Sequence, residues 1–174
     1  MTQFSLFDTA PSPPAAVVWA PPARLPDGSP LLQLRVRCLP LWWDFAWLVL
    51  EGIKLLETRG WCWAPREPAW VAMYATLGRG KKTERPLLPK GVVVPDDAPK
   101  GVITGIIWIP GSRPLVETDT AAACFPFGPG RHAFPIGARH RFKVPVSLAQ
   151  SGLKKGPQGP VFLARDIVSR ALAS

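Results

Sequence analysis

From Leu31 to Leu39, LLQLRVRCL, the apolar Leu34, Val36 and Cys38 alternate with Arg35 and Arg37, the period of about two of a half-buried strand. The pattern then changes. In DFAWLVLEG, Asp44 is placed as an N-cap, Phe45, Ala46, Leu48, Val49 and Leu50 crowd one helix face, and Gly52 closes the helix. LLETRGWCW and AWVAMYAT read as two strands joined as a hairpin by the turn APREP. Residues 78 to 100 are rich in Gly, Pro and charge and read as one long irregular excursion that covers a site. GVITGIIWI, Gly101 to Ile109, is a β-branched buried strand, and after a Gly- and Pro-rich loop RHRFKVPVSL continues the sheet. Ile167, Val168 and Leu172 in ARDIVSRALA predict a short C-terminal helix. Many short strands with two or three small helices predict an α+β, mainly β chain folded as a small β-barrel, with no internal repeat.

Before this patterned region lie Pro11, Pro13, Pro14, Pro21, Pro22, Pro26 and Pro30, which lack amide donors and constrain their predecessors. Residues 1–30 are therefore expected to be a flexible, disordered tether and residues 31–174 a single domain. A chain of 174 residues suffices for one domain with a real core.

The 21 Lys and Arg against 12 Asp and Glu give a formal charge of +9 and favour an anionic partner, nucleic acid first, although excess charge also serves solubility. Cys38, Cys62 and Cys124 are odd in number and lack CxxC spacing, so neither a disulfide framework nor a zinc site is expected. The start MTQFSLFDTA lacks a basic region followed by an apolar run, no stretch is apolar enough to span a membrane, and no Asn offers a glycosylation acceptor. A cytoplasmic protein with no membrane partner is the expectation.

The candidate chemistry concentrates in DFAWLVLEGIKLLETRGW, where Gly52, Lys54, Glu57 and Arg59 form Gly-x-Lys-x-x-Glu-x-Arg. On a strand over 55–61, Glu57, Arg59 and Trp61 share one face, and Leu56 and Thr58 take the other. A carboxylate that accepts from an exocyclic amine, a guanidinium that donates to a carbonyl or phosphate, and a stacking indole together suit a nucleobase. Lys54, from the preceding turn, reaches a phosphate or activates a water. The plain alternative is a solvated face at a helix exit. Of the eight tryptophans, Trp42, Trp43, Trp47 and Trp70 are assigned to packing, leaving Trp61 and, more weakly, Trp63 as ligand contacts. Tyr74 is expected on the strand beside the motif strand, with its hydroxyl in the cleft or bonded within the barrel. Arg131, His132, Arg139, His140, Arg141 and Lys143, interleaved with Phe134 and Phe142, suit phosphate tracking with stacking, or a charged strand edge. The histidines lack the paired spacing of a metal site, so no metal ligand is assigned.

The Gly52 to Arg59 motif resembles the signature of the ASCH family, in the PUA-like group. Phe45 and Ala46 fall where that family often has Trp-Ala, and Trp61 where an aromatic often follows the Arg. Met73 to Thr76, GVITGIIWI and, more loosely, GPQGPVFL resemble its later strands. The resemblance spans residues 34 to about 165 and is strongest over 44–76. It implies a small PUA-like β-barrel whose cleft is the RNA or nucleotide site; the related EVE and YTH domains use comparable clefts to read modified bases. The residues read above as binding, Lys54, Glu57, Arg59, Trp61 and Tyr74 at the cleft and Arg131, Arg139 and Arg141 on the basic stretch, then serve that site, without a cofactor. Some family members are amidohydrolases that deacylate a modified cytidine with a Lys, a Thr three residues later and a distant Glu. Here that third position is Glu57, and Thr58 is displaced onto the opposite face, which puts a Thr nucleophile in doubt. If the chain is an enzyme, Lys54 and Glu57 carry the chemistry, or Lys54 assists a 2′-hydroxyl and Arg59 stabilises phosphate charge in RNA cleavage. QFSLF resembles the peptide by which bacterial replication and repair proteins bind the DNA sliding clamp, through Gln3, Leu6 and Phe7. The readings are ordered as nucleic-acid or modified-nucleotide binder, then nucleoside amidohydrolase or ribonuclease, then clamp adaptor.

Overall fold

The structure, a computed structural model, describes residues 22–25, 28–62, 67–78, 85–157 and 161–174. Among the described residues, eight strands and three helices form an α+β fold: β1 (Arg35–Trp42), α1 (Trp43–Leu50), β2 (Leu56–Arg59), β3 (Ala69–Thr76), β4 (Val102–Ile109) and β5 (Arg113–Pro114) come first. After a 3-10 turn at Glu117–Asp119 follow α2 (Thr120–Ala123), β6 (His132–Pro135), β7 (Ala138–Ser147), β8 (Val161–Ala164) and α3 (Arg165–Ala173).

One sheet has the order β7-β4-β3-β1-β8 and a second the order β2-β6-β5. Among the described residues the two sheets do not join, so the expected closed barrel is not what the hydrogen bonding forms. β1 and β3 are parallel and the other pairs antiparallel. The large sheet is apolar on both faces because α1 covers one and α3 the other. Leu39, Leu41, Val71, Met73 and Ile107 meet Phe45, Leu48 and Val49 of α1, together with Phe134 from β6. On the opposite face Val36, Cys38, Trp70, Ala72, Ile106 and Phe142 meet Val168 and Ala171 of α3. A smaller cluster of Leu56, Leu115, Ala123 and Ala133 ties α2 to the second sheet.

Three expectations are corrected. β2 and β3 are not a hairpin: β2 pairs with β6, and β3 lies between β1 and β4. Tyr74 therefore does not stand beside the motif strand. Asp44 is not the N-cap of α1, a position held by Trp42; it is buried in the first turn, and its Oδ1 accepts the Phe45 amide at 2.9 Å. The first strand begins at Arg35 and runs on to Trp42, with Leu34 left exposed. Pro40 is tolerated inside β1 because the β8 pairing ends at Cys38, where β1 becomes an edge.

Residues 85–100 form neither helix nor strand. Behind the proline-rich stretch, Ala23 returns to the sheet, its carbonyl accepting the Trp70 indole N–H at 2.7 Å and the Leu31 amide at 3.0 Å.

Candidate nucleotide cleft

Gly52, at φ +77, turns the chain out of α1, and the Ile53 and Lys54 amides then bond back to the Leu48 carbonyl at 2.9 and 3.1 Å. This return sends Lys54 into the interior, where its side chain is only 1% exposed. Its Nζ donates to the Ala123 carbonyl at 2.5 Å, lies 3.4 Å from Glu57 Oε2 and stands 4.6 Å from the centre of the Phe45 ring. Burial pushes the Lys54 ammonium below its ordinary pKa, with Glu57 and Cys124 opposing the shift. The other Glu57 oxygen, Oε1, is 2.8 Å from Arg59 Nε, but that N–H makes no directed hydrogen bond, so the contact is coulombic. Arg59 is held instead by Nη2, which donates to the Pro40 carbonyl at 2.5 Å.

These groups line a cavity of about 290 Å³ at the end of β1. Trp42 and Phe45 form a stacked pair along it, 5.5 Å between centres and 25° between planes. Phe125 lies edge-on to Phe45 at 6.0 Å and under the Arg131 guanidinium at 4.8 Å. Arg131 Nη2 donates to the Thr58 carbonyl at 3.2 Å and to its hydroxyl at 3.3 Å, while its buried Nε has no partner. Lys54 and Arg59 thus flank one carboxylate, and Arg131 lines the same cavity beside the aromatic rings.

Lys54, Glu57 and Arg59 stand together at the cavity, and Arg131, expected on a separate basic stretch, joins them there; the other candidates do not. Thr58, expected on the opposite face, lines the same cavity as its neighbours, because β2 is only four residues long and is covered on both sides. Trp61 is 38% exposed and packs edge-on to Phe134 at 5.1 Å, outside the lining. Tyr74 belongs to the α3-side core, with its hydroxyl 2.7 Å from where a Cβ on Gly156 would stand. Arg139 Nη1 donates to the Val49 carbonyl at 2.9 Å and Arg141 pairs with Glu51, so both serve the C-terminal end of α1. His140 rests against Trp70, 5.3 Å between ring centres. Gln3, Leu6, Phe7 and Trp63 lie outside the described residues.

The sequence reading passed over Trp42, Phe45, Phe125 and Thr76 as cavity residues. Trp42 and Phe45 straddle the junction of β1 and α1, and a change of period at that point was the available signal. Phe125 had none, since it follows α2 in a stretch read as loop. Among the described residues no three His, Cys, Asp or Glu side chains gather as a metal site, and no helix is long and apolar enough to cross a membrane.

No protein-family model and no curated protein matches the sequence. Solved structures do. The chain is similar to the ASCH protein of Zymomonas mobilis at a TM-score of 0.54 and 17% identity, over 81% of this chain and 95% of that one. Tyr→Phe and Ser→Ala mutants of that protein align at TM-scores of 0.51 and 0.52, with 14% and 16% identity, over 79% and 82% of this chain and 96% and 98% of theirs. The chain therefore has the fold of the ASCH domain, in agreement with the resemblance carried by Gly52, Lys54, Glu57 and Arg59.

Proposed function

We propose that this cleft holds the base of a nucleotide, free or within a nucleic-acid strand. One observation carries the reading: the stacked Trp42–Phe45 pair, the Glu57 carboxylate with the Arg59 guanidinium beside it, and the Arg131 guanidinium, whose buried Nε–H has no hydrogen-bond partner, all border a single 290 Å³ cavity. Rings take the π-face of a base, the carboxylate accepts from an amine edge, and Arg59 and Arg131 meet carbonyl or phosphate oxygens. The net charge of +9 and the ASCH fold support the same partner class. The PUA-like assignment remains part of this proposal, as do the Lys54, Glu57, Arg59 and Arg131 roles.

A second reading, hydrolysis of a modified nucleoside or of RNA in the same cleft, gains from the position of Thr58, which lines the cavity and whose hydroxyl accepts from Arg131 Nη2 at 3.3 Å. Lys54, buried with a depressed pKa, would then be the proton-transfer group. The adaptor reading through Gln3, Leu6 and Phe7 rests on the sequence alone.

The deciding experiment titrates the chain and its Arg59→Ala and Arg131→Ala variants against labelled single- and double-stranded RNA and DNA at two salt concentrations, with mass spectrometry of the mixtures. Salt-sensitive binding lost in the variants, with unchanged nucleic acid, is the expected result. Product formation abolished by Lys54→Ala would move the hydrolytic reading to first place, and absence of both would return attention to the N-terminal peptide.

A further inference from the structure

A second cavity, of about 190 Å³, lies along another face of α1 and shares no lining residue with the first. Trp43, Ala46, Trp47 and Leu50 follow the spacing of one helix face and form its apolar wall. Its opposite side exists because the β4–β7 ladder parts. Ile103 pairs with Val146 and Gly105 with Arg141, so Thr104 alone stands against Phe142, Lys143, Val144 and Pro145. The extra β7 residues interrupt the ladder, and Phe142, Lys143 and Pro145 among them line the space.

Two features give this space a chemical character. Thr104 lines it, is 4% exposed, and its hydroxyl has no hydrogen-bond partner. A buried hydroxyl in that state calls for an explanation, and a ligand atom supplies one. The rim carries a net positive charge: Lys143 is exposed, Arg141 is half-exposed in its pair with Glu51, and Lys100 places its Nζ 4.1 Å from the Trp43 ring centre. At 190 Å³ the space lies below the ~300 Å³ at which pockets for drug-sized ligands begin. It admits one planar ring system and keeps any charged substituent at the rim.

We infer that this cavity is a second nucleotide subsite. A nucleobase lies against Trp47, an edge nitrogen or carbonyl of that base meets the Thr104 hydroxyl, and its phosphate meets Lys143 and Arg141. The inference rests on the reading that the chain binds nucleotides, and it adds a place for a second one. α1 then stands between the two subsites, with Phe45 on one and Trp47 on the other.

The test titrates ribonucleoside 5′-monophosphates into the full chain and follows the Trp42 and Trp47 indole N–H signals by NMR, in wild type, Thr104→Val and Arg131→Ala. Thr104→Val removes a hydroxyl with no partner while keeping the shape, so folding is spared. Saturable shifts at both indoles are expected. Thr104→Val should weaken the Trp47-reported event roughly three- to tenfold, the loss of one hydrogen bond, and leave the Trp42-reported event unchanged. Arg131→Ala should do the reverse. A response at Trp42 with none at Trp47 overturns the second subsite while the cleft reading stands. A Trp47 response indifferent to Thr104→Val also overturns it, and silence at both indoles overturns both readings.

Discussion

Lys54 Nζ lies 3.4 Å from Glu57 Oε2 with both side chains nearly sealed from water, and the ammonium is anchored on its far end of the chain by the Ala123 carbonyl. The pair therefore welds the motif to α2, an element 69 residues away in sequence. Breaking one side of such a pair leaves an uncompensated buried charge.

Glu57→Gln is accordingly expected to lower stability by ~3–5 kcal/mol, the usual range for a one-sided loss of a buried pair. Urea unfolding measures it, and a change below about 1 kcal/mol would mean that water already reaches Lys54.

The depressed Lys54 pKa has a pH signature. Below its ordinary value of 10.5 the unfolded chain holds the proton more tightly than the folded one, so this group's contribution to stability rises with pH up to 10.5 and is lost as pH falls through the folded pKa. Cys38 acts in the opposite sense: burial pushes its thiol from 9.0 to about 12, so above pH 9 ionisation of the unfolded chain erodes stability. Unfolding midpoints measured across the alkaline range should flatten in Cys38→Ala, and Lys54→Met should lose the rise. Curves that superimpose on wild type would refute both assignments.

Arg113 grips Asp119 with two bonds of 2.6 Å each, and Asp119 also accepts the Val116 amide at 3.0 Å. The Arg113 bonds hold the Asp119 carboxyl below its ordinary pKa and brace the turn that leads into Ala123. Asp119→Ala is expected to cost ~1.5–3 kcal/mol, as for hydrogen bonds to a charged group. In wild type the same contribution should vanish as pH drops below 3.8 through the folded pKa, which acid unfolding of the two proteins will compare.

Stacking distinguishes two tryptophans. Trp42 lines the cleft and Trp61 does not. Trp42→Ala should weaken nucleotide binding by ~1–3 kcal/mol, whereas Trp61→Ala should leave it nearly unchanged in fluorescence titrations. The reverse order would relocate the stacking surface to the exposed ring.

A Cβ on Gly105 would come within 2.3 Å of the His140 carbonyl and 3.2 Å of the Arg141 Cα, both backbone atoms of the neighbouring strand. Gly105→Ala should destabilise the chain by ~1–3 kcal/mol or more through displacement of β7. A thermal melt unchanged from wild type would show that β7 moves freely there.

Local pattern determined a good part of the molecule. α1, β3 and β4 are legible because each is an apolar run whose residue types and flanking turns favour one element, β-branched residues marking β4 as a strand, whatever it later packs against. Lys54, Glu57 and Arg59 were found together because they lie within six residues, so any compact turn brings them close. Tertiary structure decided the rest. β2 is four residues long, too short for its pattern to choose a partner, and burial of Leu56 against Leu115 and Ala133 sets it beside β6 instead of β3. With cover on both sides, alternation no longer separates cavity from core, which is why Thr58 joins the site. Arg131 and Phe125 reach the cleft, and Arg139 and Arg141 leave it for the end of α1, through contacts between residues some 70 to 90 positions apart. Such contacts follow from which long-range pairings bury the most surface with their polar groups satisfied, and no local period encodes that choice.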